Sequence, residues 1–303
     1  MEQNFETCLY NVVDAAKIQK DEPMKKHTTF RIGGSADYFI MPSNEKELAE
    51  TIRVCWEFSI PIYIVGNGSN LLVGDKGFRG AIIQLYKSMG TFQVEGNQIT
   101  AQAGCSLAQI ANAALDAALT GFEFAAGIPG TLGGAVVMNA GAYGGEMKDV
   151  LTSVRVMTEE GEIMELPAEK LGLGYRTSII PEKRYIVLGA VISLTEGKKE
   201  EIKAQMDDLR QKRVSKQPLE YPSAGSTFKR PEGYFAGKLI QDSGLKGFTV
   251  GGAQVSEKHS GFVINKGNAT AADVMELIRQ VTAKVKEDTG VTMEPEVKQI
   301  GEF

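Results

Sequence analysis

Glycine is the residue that most constrains this chain, because 34 of its 303 residues are glycine and they are clustered. The segments 33–34, 66–80, 121–145 and 244–267 together hold 21 of them. Glycine adopts positive φ and allows another group to approach the backbone closely. Clusters that are neither repetitive nor of low complexity therefore predict loops wrapped around a ligand.

The composition excludes several classes of protein. Hydrophobic residues make up 43% of the chain and charged residues 23%, as in a globular protein rather than a disordered or fibrous one. The net charge is -5 and no long basic run occurs, so we expect no nucleic-acid partner. The longest uncharged stretch, 124–145, contains seven glycines and one proline, which disfavours a membrane span.

The N-terminal residues and the numbers of cysteines and histidines bear on the location of the protein and on metal binding. The first ten residues include acidic side chains and no apolar signal core, so the sequence predicts a cytoplasmic location. The cysteines, Cys8, Cys55 and Cys105, are widely spaced, which predicts neither a disulfide framework nor a zinc site. With only two histidines, a histidine-rich metal centre is not expected.

Periodicity and turn signals predict an α+β chain. Helices are expected after the capping residues Asn44, Ser106 and Thr270, the last one ending at Gly290, and a charged helix at 199–216. Residues 27–34 are expected to be extended. Strands are predicted at 62–65, 81–85, 91–94, 98–102, 154–158, 163–166, 185–194, 253–255 and 261–264, with hairpin turns at 95–97 and 159–161.

Two glycine-rich segments are candidates for ligand binding. Residues 66–70, GNGSN, follow a predicted strand, and the N–H groups of such a loop can bind phosphate without basic side chains. The chain has no GxxxxGK[ST] motif, and Leu71 stands where a dinucleotide fingerprint needs its third glycine. Alone, this loop is better explained as an ordinary tight turn, and segment 126–142 could by itself be a glycine-lined domain boundary. Together they favour a dinucleotide with a pyrophosphate, bound by a fold other than Rossmann.

Six segments together resemble one family. In chain order they are TFRIGG, GNGSNLLV, GIPGTLGGAVVMNAGAYGGE, YRTS, AGSTFKRP and EPEV. Their order and spacing between residues 28 and 297 resemble those of UDP-N-acetylenolpyruvoylglucosamine reductase of peptidoglycan synthesis. The inserted loop with a substrate-covering tyrosine, found in some members, has no room between Arg176 and Glu200, so the chain resembles the short subclass that lacks this lid.

The resemblance implies a fold and a domain division. It implies an α+β chain with a two-part FAD-binding domain of the vanillyl-alcohol-oxidase-like (PCMH-type) class and a C-terminal α+β substrate domain. The two FAD-binding subdomains would span 1–75, rejoined by the tail at about 291–303, and 76–197. The substrate domain would span 198–290 and close over the flavin ring.

The resemblance also implies a reaction and its cofactors. NADPH would reduce FAD, and hydride from flavin N5 would then reduce the enolpyruvyl group of UDP-N-acetylglucosamine enolpyruvate to give UDP-N-acetylmuramate. Arg176 would pair with the substrate carboxylate, Ser226 would donate the proton, and Glu296 would help polarise the enol. Taken singly, Arg176 is better explained as a surface arginine, Ser226 as a helix cap and Glu296 as an exposed strand residue.

The remaining site residues follow from the same resemblance. Main-chain amides of the two glycine segments would hold the FAD pyrophosphate, namely those of Gly66, Asn67, Gly68, Ser69, Asn70, Gly130, Gly133, Gly134, Asn139 and Gly141. Candidate contacts for the UDP diphosphate or sugar are Lys229, Arg213 and Gln254, each of which, taken singly, is better explained as a solvated polar residue. No metal and no obligate protein partner are expected.

Two other functions remain open from the sequence. One is another FAD oxidoreductase of this fold that acts on an alcohol or hydroxyacid. Such enzymes often tether flavin through His or Cys, and neither residue occurs in the two glycine loops. The other is a non-catalytic module that binds a nucleotide or sugar nucleotide, which would be colourless when purified.

Overall fold

The computed structural model describes residues 4–303, so the first three residues of the predicted N-terminal subdomain lie outside it. Helices and strands alternate irregularly along the chain. The α-helices of the described residues are α1 (Phe5–Tyr10), α2 (Glu45–Glu57), α3 (Leu107–Asp116), α4 (Leu132–Val137), α5 (Lys199–Lys216), α6 (Ala236–Asp242) and α7 (Ala271–Thr289).

The strands are short and grouped in several sheets. They are β1 (Ile18–Pro23), β2 (Ser35–Ile40), β3 (Ile62–Val65), β4 (Leu71–Val73), β5 (Phe78–Gln84), β6 (Phe92–Glu95), β7 (Gln98–Gln102), β8 (Leu119–Thr120), β9 (Gly141–Ala142), β10 (Gly145–Glu146), β11 (Leu151–Met157), β12 (Ile163–Pro167), β13 (Ile186–Ser193), β14 (Thr195–Glu196), β15 (Ser223–Ser226), β16 (Thr249–Val250), β17 (Ala253–Val255), β18 (Phe262–Asn265) and β19 (Lys298–Ile300).

The helix starts predicted from capping residues are confirmed. Asn44 accepts a hydrogen bond from the Glu47 N–H at 2.9 Å, and Glu47 reaches back to the Ser43 N–H at 2.7 Å. Ser106 and Thr270 each form a complete capping box at the start of α3 and α7. α7 ends at Gly290, which has φ of +74° as its C-cap.

The chain divides into two compact units, each built from separated segments. Unit 1 comprises residues 1–19, 39–67 and 81–213, of which 4–19 of the first segment are described, and unit 2 comprises 20–38, 68–80 and 214–303. Three of the five boundaries fall inside β1, β2 and β5, which form one sheet with β3 in the order β1-β2-β5-β3. The other two fall between residues 67 and 68 and between residues 213 and 214, the latter inside α5. The division into residues 1–75, 76–197 and 198–290 stays a prediction.

Unit 1 is built on an antiparallel sheet of order β12-β11-β13-β7-β6. The two predicted hairpins are confirmed, because Glu95 pairs with Gln98 and Met157 pairs with Ile163. Apolar side chains of this sheet, of α3 and of α4 form one buried cluster. In the same unit β3 runs parallel to the second half of β5 and leads directly into residues 66–67 of the first glycine loop.

Unit 2 packs helix α7 against an antiparallel sheet of order β15-β18-β17-β16. The apolar face predicted for this helix is confirmed, since Val274, Leu277, Ile278, Val281 and Val285 are all buried. The C-terminal strand β19 pairs in parallel with β4. The last residues therefore return to the strand that follows the first glycine loop.

One predicted extended segment is wrong. Residues 27–30 form turns, and Arg31 has φ of +56°, so the strand begins only at Ser35. The reason is hydrogen bonding that the sequence pattern does not display: the Arg31 N–H returns to the Thr28 carbonyl at 3.2 Å. Among residues 4–303, no helix is long and apolar enough to cross a membrane.

The burial of two cysteines generates a prediction about thiol reactivity. Burial raises the pKa of Cys55 to about 12 and that of Cys105 to about 11, whereas Cys8 is partly exposed. Because the thiolate is the nucleophile, iodoacetamide at pH 8 is expected to label Cys8 at least ~100-fold faster than the other two thiols. Peptide mass spectrometry measures the labelling. Guanidinium-unfolded protein, the control, is expected to label at all three, and fast native labelling of Cys55 or Cys105 contradicts the prediction.

Candidate functional site

The first glycine loop presents a run of unpaired backbone amides. Within residues 4–303, no protein group accepts a hydrogen bond from the N–H of Gly66, Asn67, Gly68 or Ser69. Four successive amides without acceptors are unusual, because most backbone N–H groups in folded proteins are paired. Such a loop is suited to an anion whose oxygens accept several N–H bonds.

Glycine is required in this loop by close approach as well as by conformation. A Cβ atom on Gly66 would lie 2.2 Å from Oγ1 of Thr131. Gly68 has φ of +60°, and a Cβ atom there would lie 2.1 Å from the carbonyl oxygen of His27. Any side chain at either position would displace a neighbour, so the loop conformation depends on both glycines.

The second glycine segment meets the first within unit 1. The Asn67 side-chain amide donates to the Pro129 carbonyl at 2.7 Å. The Gly130 carbonyl accepts from the Leu107 N–H at 3.1 Å, while no residue among 4–303 accepts from the N–H of Gly130 itself. The segment therefore adds an unpaired amide beside residues 66–67. Gly134 is exposed at the surface of α4.

Gly133 and Asn139 use their amides inside the protein. The Gly133 N–H donates to the Ala103 carbonyl at 2.9 Å, and the Asn139 N–H donates to that of Val136 at 3.2 Å. A Cβ atom on Gly133 would lie 3.0 Å from the Ala103 Cβ atom, so this glycine permits close packing of α4. Neither amide is available to a ligand in this conformation.

Asn139 holds the turn that carries Arg176. Its side chain is fully buried and donates 3.0 Å hydrogen bonds to Glu146 and to the Gly174 carbonyl. Its Oδ1 atom accepts from the Lys148 N–H at 2.9 Å. The Asn139 side chain is thus committed to protein partners, and what it orients is the turn at Gly174.

Arg176 occupies a strained position in that turn. Gly174 and Thr177 exchange two backbone hydrogen bonds, and Arg176 between them has φ of +55°, a conformation uncommon for residues other than glycine. Its guanidinium donates to the Gly141 carbonyl at 3.3 Å and lies 5.1 Å from the centre of the Tyr175 ring. These contacts hold a half-buried cation in a fixed place on unit 1.

Glu146 supplies negative charge beside this arginine. The hydrogen bond from the Lys148 ammonium group lowers the pKa of Glu146, with further contributions from Asn139 and from the charge of Arg176. The Lys148 and Glu146 side chains approach within 2.8 Å. Glu146 is therefore ionised at neutral pH and contributes to the position of Arg176.

Arg213 lies elsewhere in unit 1 and is half-buried. Its side chain packs against Gly127, where an added Cβ atom would lie 3.2 Å from its Cδ atom. Burial lowers the pKa of Arg213, and its electrostatic neighbour is Tyr143. Within residues 4–303 it forms no ion pair with a carboxylate, which leaves its guanidinium group suited to an anionic ligand.

Ser226 ends strand β15 in unit 2 and is exposed. Ser223 pairs with Ile264 and Ser226 with Phe262, so β15 contains a bulge between them. Gly225 in this bulge has φ of +76°. Among residues 4–303, no group bonds the Ser226 hydroxyl, so it is free to meet a ligand.

Glu296 lies on a segment adjacent to the one that follows Ser226. Its N–H donates to the Thr227 carbonyl at 2.7 Å, and Phe228 bridges Pro295. The Asn70 side chain donates to the Glu296 carbonyl at 3.2 Å. Unit 2 thus brings the segments of Ser226, Glu296 and the end of the first glycine loop together.

The other two predicted substrate contacts are also in unit 2. Lys229 forms an exposed ion pair of 3.0 Å with Glu294. Gln254 donates to the Gly247 carbonyl at 3.3 Å and to Thr249 at 3.2 Å. Its side-chain oxygen is buried with no hydrogen-bond partner in the part of the chain that the structure describes.

Sequence reasoning missed the residues that hold these groups in place. Glu146 and the side-chain role of Asn139 are examples, and so is Thr29, which links Gly68 to Ser223. The available signal was a carboxylate at the end of a glycine-rich segment and a polar residue within TFRIGG. The binding and catalytic assignments themselves stay predictions.

Two family models match the chain. Residues 36–167 match a model described as an FAD binding domain, and residues 217–300 match the C-terminal domain of UDP-N-acetylenolpyruvoylglucosamine reductase. The unpaired N–H groups of residues 66–69 follow strand β3, inside the segment that the first model covers. These residues therefore fit the FAD pyrophosphate. Fold and loop together define a flavoprotein of the α+β class, as predicted.

Relatives are similar to the chain over their whole length. It is 55% identical to UDP-N-acetylenolpyruvoylglucosamine reductase of Agathobacter rectalis over 100% of both chains. It is 55% identical to that of Caldanaerobacter subterraneus over 97% of both. The chain belongs to the UDP-N-acetylenolpyruvoylglucosamine reductase family.

Solved structures agree with the fold. The crystal structure of the Thermus caldophilus reductase has a TM-score of 0.80 and 37% identity, covering 93% of this chain and 97% of that one. A grass pollen allergen with glucose dehydrogenase activity has a TM-score of 0.52 at 15% identity, covering 65% of this chain and 45% of that one. The second likeness concerns the fold alone.

The close approach at Gly68 generates a prediction about flavin content. Gly68→Ala is expected to raise the Kd for FAD about tenfold, the effect of losing about 1.4 kcal/mol, and so to lower the FAD retained on purification, because the new methyl group displaces the His27 carbonyl. Gly96→Ala is the matched control, since Gly96 has φ of +58° with no atom within 4 Å. Absorbance of the purified proteins measures FAD, and equal FAD content in the two variants contradicts the prediction.

Proposed function

We propose that this protein is an NADPH-dependent flavoenzyme that reduces the enolpyruvyl group of UDP-N-acetylglucosamine enolpyruvate to give UDP-N-acetylmuramate, a peptidoglycan precursor. The observation that carries this proposal is the 55% identity to reductases of that name over complete chains. FAD and NADPH are its cofactors. FAD, once reduced by NADPH, supplies the hydride that adds to the β-carbon of the substrate.

The substrate places a clear demand on the protein. Its double bond is electron-rich because of the ether oxygen, so negative charge must be stabilised on the carboxylate side before the α-carbon is protonated. A fixed cation, a proton donor and a carboxylate that polarises the enol meet this demand.

Arg176 is proposed to bind the substrate carboxylate. A guanidinium group can form two parallel hydrogen bonds with a carboxylate, which an ammonium group cannot reproduce. Its position in a turn anchored by Asn139 and its contact with the Gly141 carbonyl support this role. The arginine is held before substrate arrives, so little rearrangement is needed in the reaction.

Ser226 is proposed as the proton donor and Glu296 as the carboxylate that polarises the enol. The exposed Ser226 hydroxyl, at the end of a bulged strand, supports the first assignment. The bonds that fix the backbone of Glu296 to Thr227 and Asn70 support the second. A serine is a weak acid, so its action depends on nearby charge and on exclusion of water.

Arg213, Lys229 and Gln254 are proposed to contact the UDP part of the substrate. Arg213 has the strongest support, because it is a half-buried cation without a carboxylate partner among residues 4–303. The proposal also covers the predicted amide ligands of FAD, with the unpaired N–H groups at 66–69 as its support. For Gly133 and Asn139 the proposed contribution is packing and positioning rather than a hydrogen bond to FAD.

The proposal extends to organisation and location. Strands β13 and β14 occupy much of the interval between Arg176 and α5, which supports membership of the short subclass without a tyrosine lid. We place the enzyme in the cytoplasm, where NADPH and nucleotide sugars are made, and expect the purified chain to be active without a protein partner. The three-part division into residues 1–75, 76–197 and 198–290 belongs to the same proposal.

The overall reaction is tested with the purified chain. We expect yellow protein that oxidises NADPH beyond one equivalent per flavin only when the enolpyruvyl sugar nucleotide is present. Colourless protein supports a non-catalytic binding module instead. Flavin that is reduced by NADPH but reoxidised only by oxygen, or substrate activity with alcohols or hydroxyacids, supports a different oxidoreductase of this fold.

Removal of the proposed proton donor should affect one half-reaction. Ser226→Ala is expected to slow reoxidation of reduced flavin by the enolpyruvyl substrate by at least ~100-fold, while reduction by NADPH keeps its rate. Stopped-flow absorbance measures each step. Ser223→Ala, the same change in the same strand, is the control. Equal slowing of both half-reactions indicates a damaged fold and removes Ser226 from this role.

Replacing the guanidinium group of Arg176 by an ammonium group should weaken substrate binding. Arg176→Lys is expected to raise KM for the enolpyruvyl substrate by roughly 10- to 100-fold, the effect of losing one hydrogen bond between charged groups. Arg184→Lys is the matched control, because Arg184 also has positive φ, at 52°, but is highly exposed. Steady-state kinetics measures KM, and similar values for the two variants contradict the assignment.

A further inference from the structure

The proposed function assigns no role to the turn formed by residues 28–31. Within unit 2, the Thr29 N–H donates to the Gly68 carbonyl at 3.2 Å. The Thr29 hydroxyl donates to the Ser223 carbonyl, 194 residues further along the chain, at 2.7 Å. One threonine therefore connects the first glycine loop to the first residue of β15.

The strand that Thr29 holds is the one that ends in Ser226. Three residue steps separate Ser223 from Ser226, whereas two separate their partners, Ile264 and Phe262. The extra residue forms the bulge, and Gly225 within it has positive φ and open space around it. The direction of the Ser226 side chain therefore depends on how firmly both ends of the bulge are fixed.

The downstream end of the bulge is fixed by Thr227. Its N–H donates to the Gly261 carbonyl at 2.9 Å, and its buried hydroxyl accepts from the Val263 N–H at 2.9 Å. Both bonds join β15 to its neighbour β18. They hold the residue after Ser226 but leave the other end of the bulge to other contacts.

The upstream end is fixed from two sides. The Asn265 N–H donates to the Pro222 carbonyl at 2.9 Å, which continues the pairing with β18. On the other side, the Thr29 hydroxyl donates to the Ser223 carbonyl. The same turn also reaches β18, because the Asn265 side chain donates to the Phe30 carbonyl at 3.3 Å.

We propose that Thr29 is a positioning residue. Its hydroxyl fixes β15, the bulged strand that ends in Ser226, relative to the first glycine loop and so orients the Ser226 hydroxyl. The inference rests on the proposed function, because it takes Ser226 as the proton donor. The hydroxyl group matters, whereas the N–H bond to Gly68 is independent of the side chain. Thr29 is partly buried and is not among the residues of the buried apolar cluster of unit 2.

Two substitutions separate the hydroxyl group from the shape of the residue. Thr29→Val keeps the β-branched shape and the N–H bond but removes the donor to Ser223. Thr29→Ser keeps the donor and removes a methyl group. If the hydrogen bond positions Ser226, Thr29→Val slows reoxidation of reduced flavin by the enolpyruvyl substrate roughly three- to tenfold, and Thr29→Ser does not. Reduction of the flavin by NADPH stays within twofold in both.

A second measurement uses the protein as purified and does not depend on activity. Hydrogen exchange followed by mass spectrometry reports the opening of the segment 222–228. Exchange in this segment is expected to be at least about threefold faster in Thr29→Val than in the unaltered protein or in Thr29→Ser. Exchange in the segment 262–265 serves as the internal reference for the paired strand.

The outcomes are distinct. Slower substrate reduction with faster exchange at 222–228, in Thr29→Val alone, supports the positioning role. Equal effects of Val and Ser, equal slowing of both half-reactions, or no effect on either measurement overturns it while the unaltered enzyme still reduces the substrate. An unaltered protein that binds no flavin or ignores the enolpyruvyl substrate overturns the proposed function and this inference with it.

Discussion

The first glycine loop combines side chains that are held by hydrogen bonds with backbone N–H groups that have no acceptor among residues 4–303. Among residues 4–303, the four N–H groups at 66–69 have no acceptor, although each would gain from one. An unsatisfied amide costs up to about 1–3 kcal/mol when it is shielded from water. An anion that accepts several of these bonds would recover that energy, which supports the proposal that this loop holds the FAD pyrophosphate.

Each half of the loop is held by contacts within its own unit. In unit 1 the Asn67 side chain is tied to Pro129, and Gly66 lies against Thr131. In unit 2 the Gly68 carbonyl is tied to Thr29, and the Asn70 side chain to the Glu296 backbone. These contacts fix the conformation of each half. Preorganisation of this kind reduces the entropy lost when a ligand binds.

The sequence predicts local features of this fold well, because their partners lie within a few residues. Asn44, Ser106 and Thr270 cap helices through bonds to residues three positions away. The antiparallel hairpins follow from turn residues between two alternating strands. The glycine clusters and the six motifs likewise indicate the flavoprotein fold and the family, because both depend on short segments in a fixed order.

Positions determined by distant partners could not be predicted in the same way. Thr29 and Phe30 have the β-branched and aromatic character of a strand, yet a bond from Thr29 to Ser223 and turns at 27–30 decide their conformation. Asn139 belongs to a glycine-rich motif, which suggested a direct contact with FAD. Its side chain instead bonds Gly174, 35 residues away, a pairing that no local pattern reveals.

The interleaving of the two units also affects how the chain can be made. Unit 2 takes residues 20–38 and 68–80 from the first third of the chain and the remainder from 214–303. During synthesis these early segments leave the ribosome long before residues 214–303, and β4 pairs with β19 only after residues 298–300 have been made. Apolar side chains such as Phe30 and Leu72 therefore lack most of their partners in the buried cluster of unit 2 until then. All residues of unit 1 precede residue 214, so the core of unit 2 is completed only after unit 1 has been synthesised in full.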